Sequence, residues 1–251
     1  MKASLGIVVA LASEARQLFG RWCWRPEDGR LARHVPVTAG LELIIVRAGF
    51  GYQRAYSATR WLMTQGVAGL MALGVSGGLD PGLKPGTLVV ADKVLHLDSD
   101  RIADVWRTET SVCQQAQDRL NAQGLTARIG GILTVPWPVL SVENKKALFH
   151  QYRALTVDME SAAVALAASQ NHLPFFGMRV VCDPAKEAVS REISGRINPA
   201  GAIEILSLVS CLFQHPFLTA ELLRLAKQYH TAMTALRRGW QVLVNQRFSF
   251  F

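Results

Sequence analysis

Residues 68–91, AGLMALGVSGGLDPGLKPGTLVVA, contain the pattern that decides the fold class. Residues 68–73 are a continuous apolar run of the length expected for a buried strand. The glycine-rich segment 74–78 follows directly and predicts a turn, and the prolines and glycines of segment 81–86 predict a loop. Residues 87–91 predict a further strand. Near-continuous apolar strands of this kind are typical of a sheet that helices cover on both faces.

The rest of the chain alternates further predicted strands with predicted helices. Strands are expected at residues 5–11, 41–48, 127–134, 155–157 and 175–182. Helices are expected at residues 14–19, 53–65, 111–123, 143–150, 159–171, 199–213 and 218–236. Residues 22–40 predict a loop with a short hairpin, and residues 92–107 show no clear pattern. The alternation indicates one α/β domain over residues 1–251, with a C-terminal amphipathic helical extension over about residues 214–251.

The composition excludes several classes of protein. Half of the 251 residues are hydrophobic and only 18% are charged, which excludes a disordered chain. The net charge of +8 is compatible with an anionic partner, but the basic residues form no long run. No helix-turn-helix, zinc-finger or interleaved basic and aromatic pattern is present, so we expect no nucleic-acid partner.

The cysteines and the apolar runs indicate the compartment. Cys23, Cys113, Cys182 and Cys211 lie far apart without CxxC spacing, so we expect neither a zinc site nor a disulfide scaffold. This pattern favours a reduced cytoplasm. No apolar stretch reaches the roughly 20 residues that a membrane-spanning helix needs. We therefore expect a cytoplasmic protein that can still lie on a membrane surface.

Carboxylates and glycines follow the predicted strands at several points. Glu14 comes after the first strand, GFG at 49–51 after the second, DME at 158–160 after the short strand, and Asp183 after the last. Ligands of open α/β sheets bind beyond the carboxyl ends of strands. Taken singly, each of these residues can be a helix cap or a turn residue. Together they predict a pocket for general acid–base chemistry on a neutral, polyhydroxylated substrate.

At these residues the chain resembles the nucleoside phosphorylase superfamily. The similar segments are GIVVALASEARQL (6–18), VRAGFG (46–51), LGVSGGLDPGLKPGTLVVAD (73–92), VDMESAAVA (157–165) and PFFGMRVVCDPA (174–185). The resemblance implies a three-layer αβα sandwich around a central mixed, partly closed sheet, and a homo-oligomer. Within the superfamily, the VDMES and DPA motifs and the C-terminal stretch are most similar to those of hopanoid-associated phosphorylases. That similarity implies removal of adenine from adenosylhopane.

The resemblance also implies roles for individual residues. Glu14 matches the acid that positions or activates the attacking water, and Asp183 matches the acid that protonates the purine N7. Met159 matches the methionine that packs on the ribose, and Glu160 matches the carboxylate that binds the ribose hydroxyls. The other residues implied to lie near the substrate are Gly49, Gly51, Gly74, Ser76, Gly77, Gly78, Val139 and Cys182. No metal or organic cofactor is implied, and phosphate would be a co-substrate only in a phosphorylase.

Two positions bear on the choice between water and phosphate as the nucleophile. Ala72 and Val75 stand where some members of the superfamily carry an Arg and a Ser that contact phosphate. Ser76 is displaced by one residue, and Arg16 or Arg47 could compensate for the loss. We therefore favour hydrolysis. Phosphorolysis to a ribose 1-phosphate and a catalytically silent nucleoside-binding module stay open as alternatives.

The C-terminal extension combines basic and apolar residues. Its basic residues are Arg224, Lys227, Arg237, Arg238 and Arg247, against the single acid Glu221. Its apolar residues include Leu222, Leu225, Trp240, Val242, Leu243, Phe248, Phe250 and Phe251. This pattern suits peripheral contact with the inner membrane surface, where a lipid-linked nucleoside would reside. An ordinary helix that packs on the core is the alternative.

Overall fold

The computed structural model describes residues 3–20, 24–28, 30–38, 41–99, 101–195 and 218–245. Its strands are β1 (Ala3–Val9), β2 (Arg25–Glu27), β3 (Arg30–Thr38), β4 (Leu41–Arg47), β5 (Gly69–Gly78), β6 (Leu88–Asp98), β7 (Arg101–Arg107), β8 (Ala127–Thr134), β9 (Thr156–Asp158) and β10 (Phe175–Asp183). Its helices are α1 (Ala12–Phe19), α2 (Tyr52–Thr64), α3 (Thr110–Ala122), α4 (Val142–Tyr152), α5 (Ser161–Gln170), α6 (Arg191–Ser194) and α7 (Leu218–Asn245).

The strands form one mixed sheet that is partly closed. Five of them make a ring in the order β5–β9–β8–β6–β10, because β10 pairs in parallel with β5 and antiparallel with β6. The strands β1, β4, β3 and β2 continue the sheet from β5, and β7 pairs with β6 outside the ring. The parallel strands β1, β4, β5 and β10 end at the same edge. This edge therefore brings together the residues that follow them.

Helices cover both faces of the sheet in three layers. On one face, α2 and α5 pack on β1, β4 and β5 through residues such as Trp61, Leu62 and Val164. On the other face, α1, α3 and α7 share a core with β1, β5, β6 and β10 that includes Phe19, Leu120 and Trp240. Apolar side chains on both faces of the strands are buried away from water, which accounts for the near-continuous apolar sequences of these strands. The predicted fold class is confirmed.

The structure corrects the prediction of a turn at residues 74–78. These residues belong to β5, which runs from Gly69 to Gly78 and pairs with β10 and β9. The glycines serve close packing instead, since a Cβ on Gly77 would lie 3.2 Å from Val157 and one on Gly78 3.2 Å from Val181. Small residues let the strands of the narrow ring approach one another.

Other segments differ in extent or fall outside the described residues. Residues 92–107, which showed no clear pattern, form the end of β6 and all of β7. The hairpin predicted within residues 22–40 is present as β2 and β3 and is longer than expected. The register is irregular near Pro36, where β3 pairs with β4. The helix predicted at 159–171 begins only at Ser161. The helix predicted at 199–213 lies outside the described residues.

Helix α7 packs its apolar stripe on the body of the protein. Trp240 and Leu243 are buried in the main core, so these two side chains are core residues and not a surface for lipid. Lys227, Arg237 and Arg238 are exposed. Within the described part of the chain, no helix combines the length and the apolar character needed to cross a membrane.

Candidate active site

Glu14 lies buried at the start of α1, immediately after β1. Its Oε2 accepts the backbone N–H of Leu11 at 2.7 Å, and its Oε1 accepts that of Val75 at 2.8 Å. These bonds hold the carboxylate against the middle of β5. Burial raises the pKa of Glu14, while the two N–H groups and the charge of Arg179 oppose that shift.

Gly74 is the point at which Glu14 and Arg179 approach β5. A Cβ on Gly74 would lie 2.4 Å from Arg179 Nη1 and 2.7 Å from Glu14 Oε1. Only a residue without a side chain leaves room for both groups at this position. Gly74 therefore allows a carboxylate and a guanidinium to share one buried place against the middle of β5.

Arg179 lies in the middle of β10 and is 2% exposed. Its Nη2 is 2.7 Å from Asp158 Oδ2 and 3.7 Å from Glu160 Oε2, and its Nε donates to Ser161 Oγ at 3.1 Å. Asp158 also accepts the hydroxyl of Thr134 at 2.6 Å and the hydroxyl and N–H of Ser161. Asp158 thus binds the first N–H of α5 and orients Arg179, while Glu160 keeps only a long contact with the guanidinium.

Glu160 and the glycines of residues 49–51 form the next part of the site. Gly51 donates its N–H to Glu160 Oε1 at 2.9 Å, and Gly49 donates to the carbonyl of Ala10 at 3.0 Å. Both glycines have positive φ, +97° and +83°, a conformation that favours glycine. Burial raises the pKa of Glu160 to about 7, although Arg179 opposes the shift. The predicted turn at these glycines is confirmed.

Asp183 is the last residue of β10 and is paired with a buried lysine. Lys145 Nζ in α4 is 2.7 Å from Asp183 Oδ2, and the Asp183 side chain keeps 21% of its surface exposed. Burial raises the pKa of Asp183, and the charge and hydrogen bond of Lys145 oppose that shift. The carboxylate lies against β5, because a Cβ on Gly77 would be 3.3 Å from Oδ2.

The remaining predicted site residues with side chains, Ser76, Cys182, Met159 and Val139, are buried or half-buried. Ser76 is buried and donates its hydroxyl to the carbonyl of Val180 at 3.3 Å. Burial raises the pKa of the Cys182 thiol to about 12, which agrees with an unreactive group. Met159 is half-buried next to Glu160, and Val139 is buried in an apolar cluster with Val157.

Two buried charged residues of this region were not given a role from the sequence. Arg179 interrupts the apolar strand FFGMRVVCD, and such an interruption indicates a cation that is paired in the core. Lys145 precedes Leu148, Phe149 and Tyr152 at helical spacing, so periodicity alone places it on the buried face of α4. Neither pattern identifies the acidic partner, which comes from a distant segment.

The described residues contain no group of three or more His, Cys, Asp or Glu side chains arranged to hold a metal ion. Two buried cations are instead paired with carboxylates, Lys145 with Asp183 and Arg179 with Asp158, while backbone N–H groups hold Glu14. This arrangement is suited to hydrogen bonding, proton transfer and stabilisation of a developing positive charge.

Replacing Gly74 with alanine is expected to lower kcat by about 10²-fold, because the new methyl group must displace Arg179 or Glu14 from the site. Steady-state kinetics on the purified variant measure this effect. A thermal unfolding curve close to that of the wild type would show that the loss is local. Activity near the wild-type level would mean that the two groups need not keep these positions.

The family was identified by comparison with known proteins. A model of the Phosphorylase superfamily matches residues 4–202. This chain belongs to that superfamily. The match confirms the prediction of an enzyme of the N-glycosidase or nucleoside phosphorylase kind. It spans most of the described residues and includes Glu14, Glu160, Arg179 and Asp183.

Relatives within the superfamily are distant in sequence and similar in fold. A 5'-methylthioadenosine/S-adenosylhomocysteine nucleosidase of Staphylococcus aureus is 25% identical over 199 residues, which covers 72% of this chain and 86% of the relative. The Helicobacter pylori futalosine hydrolase structure has a TM-score of 0.71 at 22% identity, covering 97% and 98% of the two chains. The Campylobacter jejuni 5'-methylthioadenosine/S-adenosyl homocysteine nucleosidase structure has a TM-score of 0.74 at 15% identity, covering 98% and 99%. The two structures agree with the fold described above.

Proposed function

We propose that this enzyme hydrolyses the bond between adenine and ribose in an adenosine-type nucleoside, and that its substrate is adenosylhopane. The observation that carries the proposal is that Glu14 and Glu160 both approach Arg179, and that Asp183 lies against Gly77 of the same strand, β5, that Glu14 and Arg179 meet at Gly74. The relatives named as nucleosidases and as a hydrolase support hydrolysis. The roles follow from the chemistry of the bond.

Bond cleavage leaves a positive ribose and a negative purine. Asp183 protonates the purine N7, which turns the base into a neutral leaving group. Glu160 accepts hydrogen bonds from the ribose hydroxyls, holds the ring and stabilises the developing cation. Glu14 orients the attacking water and accepts its proton. The raised pKa values of these buried carboxyls suit proton transfer near neutral pH.

The charges around the nucleophile position favour water over phosphate. The N–H of Val75, which could bind an anion, already donates to Glu14. Arg179, the buried cation beside it, is paired with Asp158 and approached by Glu160. A phosphate dianion would therefore meet carboxylates and a cation that is already neutralised.

Phosphorolysis is the second candidate. Arg16 and Arg47 favour it, because the described residues contain no salt-bridge partner for either of them. They lie close enough that Arg16 adds to burial in lowering the pKa of Arg47. Two neighbouring guanidinium groups without carboxylate partners among the described residues are suited to bind a phosphate, and phosphorolysis would require added phosphate for adenine release.

Apolar groups around the loop after Asp183 support a lipid-linked substrate. Trp137 is 40% exposed, and the loop that carries it contacts this segment through Leu140, whose carbonyl accepts the N–H of Val189. Leu223 of α7 is 67% exposed, and its neighbour Arg224 donates to the carbonyl of Ala188. These side chains would lie beside a hydrocarbon attached to the ribose, and the exposed basic residues of α7 would face anionic lipid.

Adenine release from adenosylhopane in anionic vesicles is the deciding experiment, with methylthioadenosine as the comparison substrate. We expect release from adenosylhopane that does not depend on added phosphate. A strict requirement for phosphate would establish phosphorolysis instead. Release from methylthioadenosine alone would leave the nucleosidase reaction in place and reject the lipid-linked substrate. Binding to the same vesicles without substrate tests the peripheral membrane contact.

A further inference from the structure

Lys145 is the most completely enclosed cation of the described residues. Its side chain is 0% exposed, and its Nζ has three acceptors: Asp183 Oδ2 at 2.7 Å, the carbonyl of Glu187 at 2.8 Å and the carbonyl of Pro184 at 3.1 Å. The three bonds match the three N–H groups of an ammonium ion. Lys145 thus ties α4 to the strand end and to the loop that follows it.

Helix α7 holds the same loop from its other side. Glu187 forms an ion pair with Arg224 and accepts a hydrogen bond from Gln228 at 2.8 Å. The Asp183 carboxylate is therefore fixed through Oδ2, and Lys145 is the one described side chain that donates a hydrogen bond to it. The partly exposed side of this carboxylate is free to meet a substrate base.

We propose that Lys145 and Asp183 act as a single proton donor, in which Asp183 protonates the leaving base and Lys145 replaces that proton across their hydrogen bond. The proposal rests on the hydrolytic function proposed above. The Asp183 O–H bond breaks as the N7–H bond of the base forms, and a Lys145 N–H bond then breaks as the Asp183 O–H bond re-forms. Lys145 becomes a neutral amine and, because it is enclosed, regains its proton from water only through the partly exposed Asp183 carboxylate after the product leaves. Because it acts through Asp183, Lys145 is a positioning residue that also supplies the proton.

The geometry satisfies both protonation states without movement. A neutral lysine amine has two N–H groups and one lone pair. The two N–H groups match the carbonyls of Pro184 and Glu187, and the lone pair faces Asp183 Oδ2, which then carries the proton. If the proton left Lys145 for any group other than Asp183, one of its three buried acceptors would lose its hydrogen-bond donor.

Other ionisable groups surround the pair and act on its protonation. From β10 there is Cys182, from the loop Glu187, and from α7 Arg224, whose charge lowers the pKa of Asp183. One step farther from Asp183, Glu14 of α1 raises the pKa of Cys182. Glu14 and Cys182 both raise the pKa of Tyr229 of α7. Among these groups, Lys145 alone makes a direct hydrogen bond to the carboxylate.

Lys145→Met tests the proposal through the direction in which the pH profile moves. We expect kcat at alkaline pH to fall by about 10²-fold with little change in KM, and the alkaline limb of the profile to move to lower pH. Without the lysine, only the proton of Asp183 itself is available, and it is lost as the pH passes the pKa of that carboxyl. If Asp183 acted alone, removal of a neighbouring cation would raise its pKa and move the limb to higher pH, which would overturn the proposal.

Lys146→Met is the matched control, since Lys146 is exposed on the same helix and should leave the profile unchanged. Lys145→Arg keeps the charge but cannot give up a proton, so we expect it to stay impaired; wild-type kcat in this variant would reject the relay. Should neither Lys145 variant fold, ¹⁵N-lysine NMR of the wild type decides. The Lys145 ammonium resonance must disappear over the pH range in which kcat falls, and an ammonium that persists would overturn the relay. Absence of adenine release from the wild type would instead reject the proposed function.

Discussion

Asp183→Asn is expected to lower kcat by about 10²- to 10⁴-fold, because an amide still accepts a hydrogen bond from Lys145 but has no acidic proton for the purine. KM should change little, since the amide occupies the same volume. Adenine release measured across the pH range tests the prediction. The wild-type rate should fall as the pH rises through the pKa of the acid, and the variant should lack that dependence.

A substrate that needs no proton provides the control for Asp183→Asn. With p-nitrophenyl riboside, whose leaving group departs as a stable anion, the variant should retain most of its activity. Equal losses on both substrates would point to a disturbed site and not to a missing acid. Wild-type turnover of the nucleoside by the variant at every pH would show that another group protonates the base.

Arg179→Met is expected to lower the free energy of unfolding by about 3–5 kcal/mol and to abolish activity, because it leaves buried carboxylates without their cation. Asp158 is 2.7 Å from the guanidinium, and Glu160 and Glu14 are the next nearest carboxylates. Denaturant unfolding at several pH values measures the effect. Arg128→Met, at an exposed position of β8, is the matched control and should change stability by less than about 0.5 kcal/mol.

The stability deficit of Arg179→Met should also depend on pH in a defined direction. Glu160 has a pKa raised to about 7 in the folded protein, above the ordinary value of 4.5. Arg179 lowers this pKa, so its removal raises the pKa of Glu160 further, and the variant goes on losing stability above the pH at which the wild type stops. The deficit should therefore shrink towards pH 5 and grow above pH 7. A deficit that does not vary with pH would mean that the buried carboxylates are not its cause.

The apolar runs predicted most of the strands, because a strand buried on both faces has few polar residues. The strand predicted at 41–48 is β4, Leu41–Arg47, and the strand predicted at 175–182 is β10, Phe175–Asp183. Strand β7 was not predicted because it is largely exposed and carries charged residues, so its sequence shows no clear apolar alternation. Residues 74–78 were misread because glycine indicates a turn locally, whereas the close approach that requires it here involves residues about a hundred positions away.

The candidate site was predictable to a similar degree. The order of strands and helices places Glu14 and Asp183 after β1 and β10, two parallel strands whose carboxyl ends meet, which is why sequence alone could group them. Glu160 follows β9, which is antiparallel to β5, and its contact with the Gly51 N–H was not predictable from that rule. The pairing of Asp183 with Lys145 and of Asp158 with Arg179 was not predictable in the same way. Those pairs depend on the register between distant segments and on which helix face is buried, and neither is encoded in a local pattern.

Closure of the ring by β10 has a consequence for how the chain reaches its native state. The strand pairs Leu70 with Phe175 and Val90 with Met178, so the contacts that complete the ring have large sequence separation and form at a high cost in loop entropy. Until β10 is in place, β5 and β6 each present an unpaired apolar edge that can add strands from other molecules. The strand that carries Arg179 and Asp183 therefore completes the proposed active site and, in the same event, removes the edges through which an incompletely folded chain would aggregate.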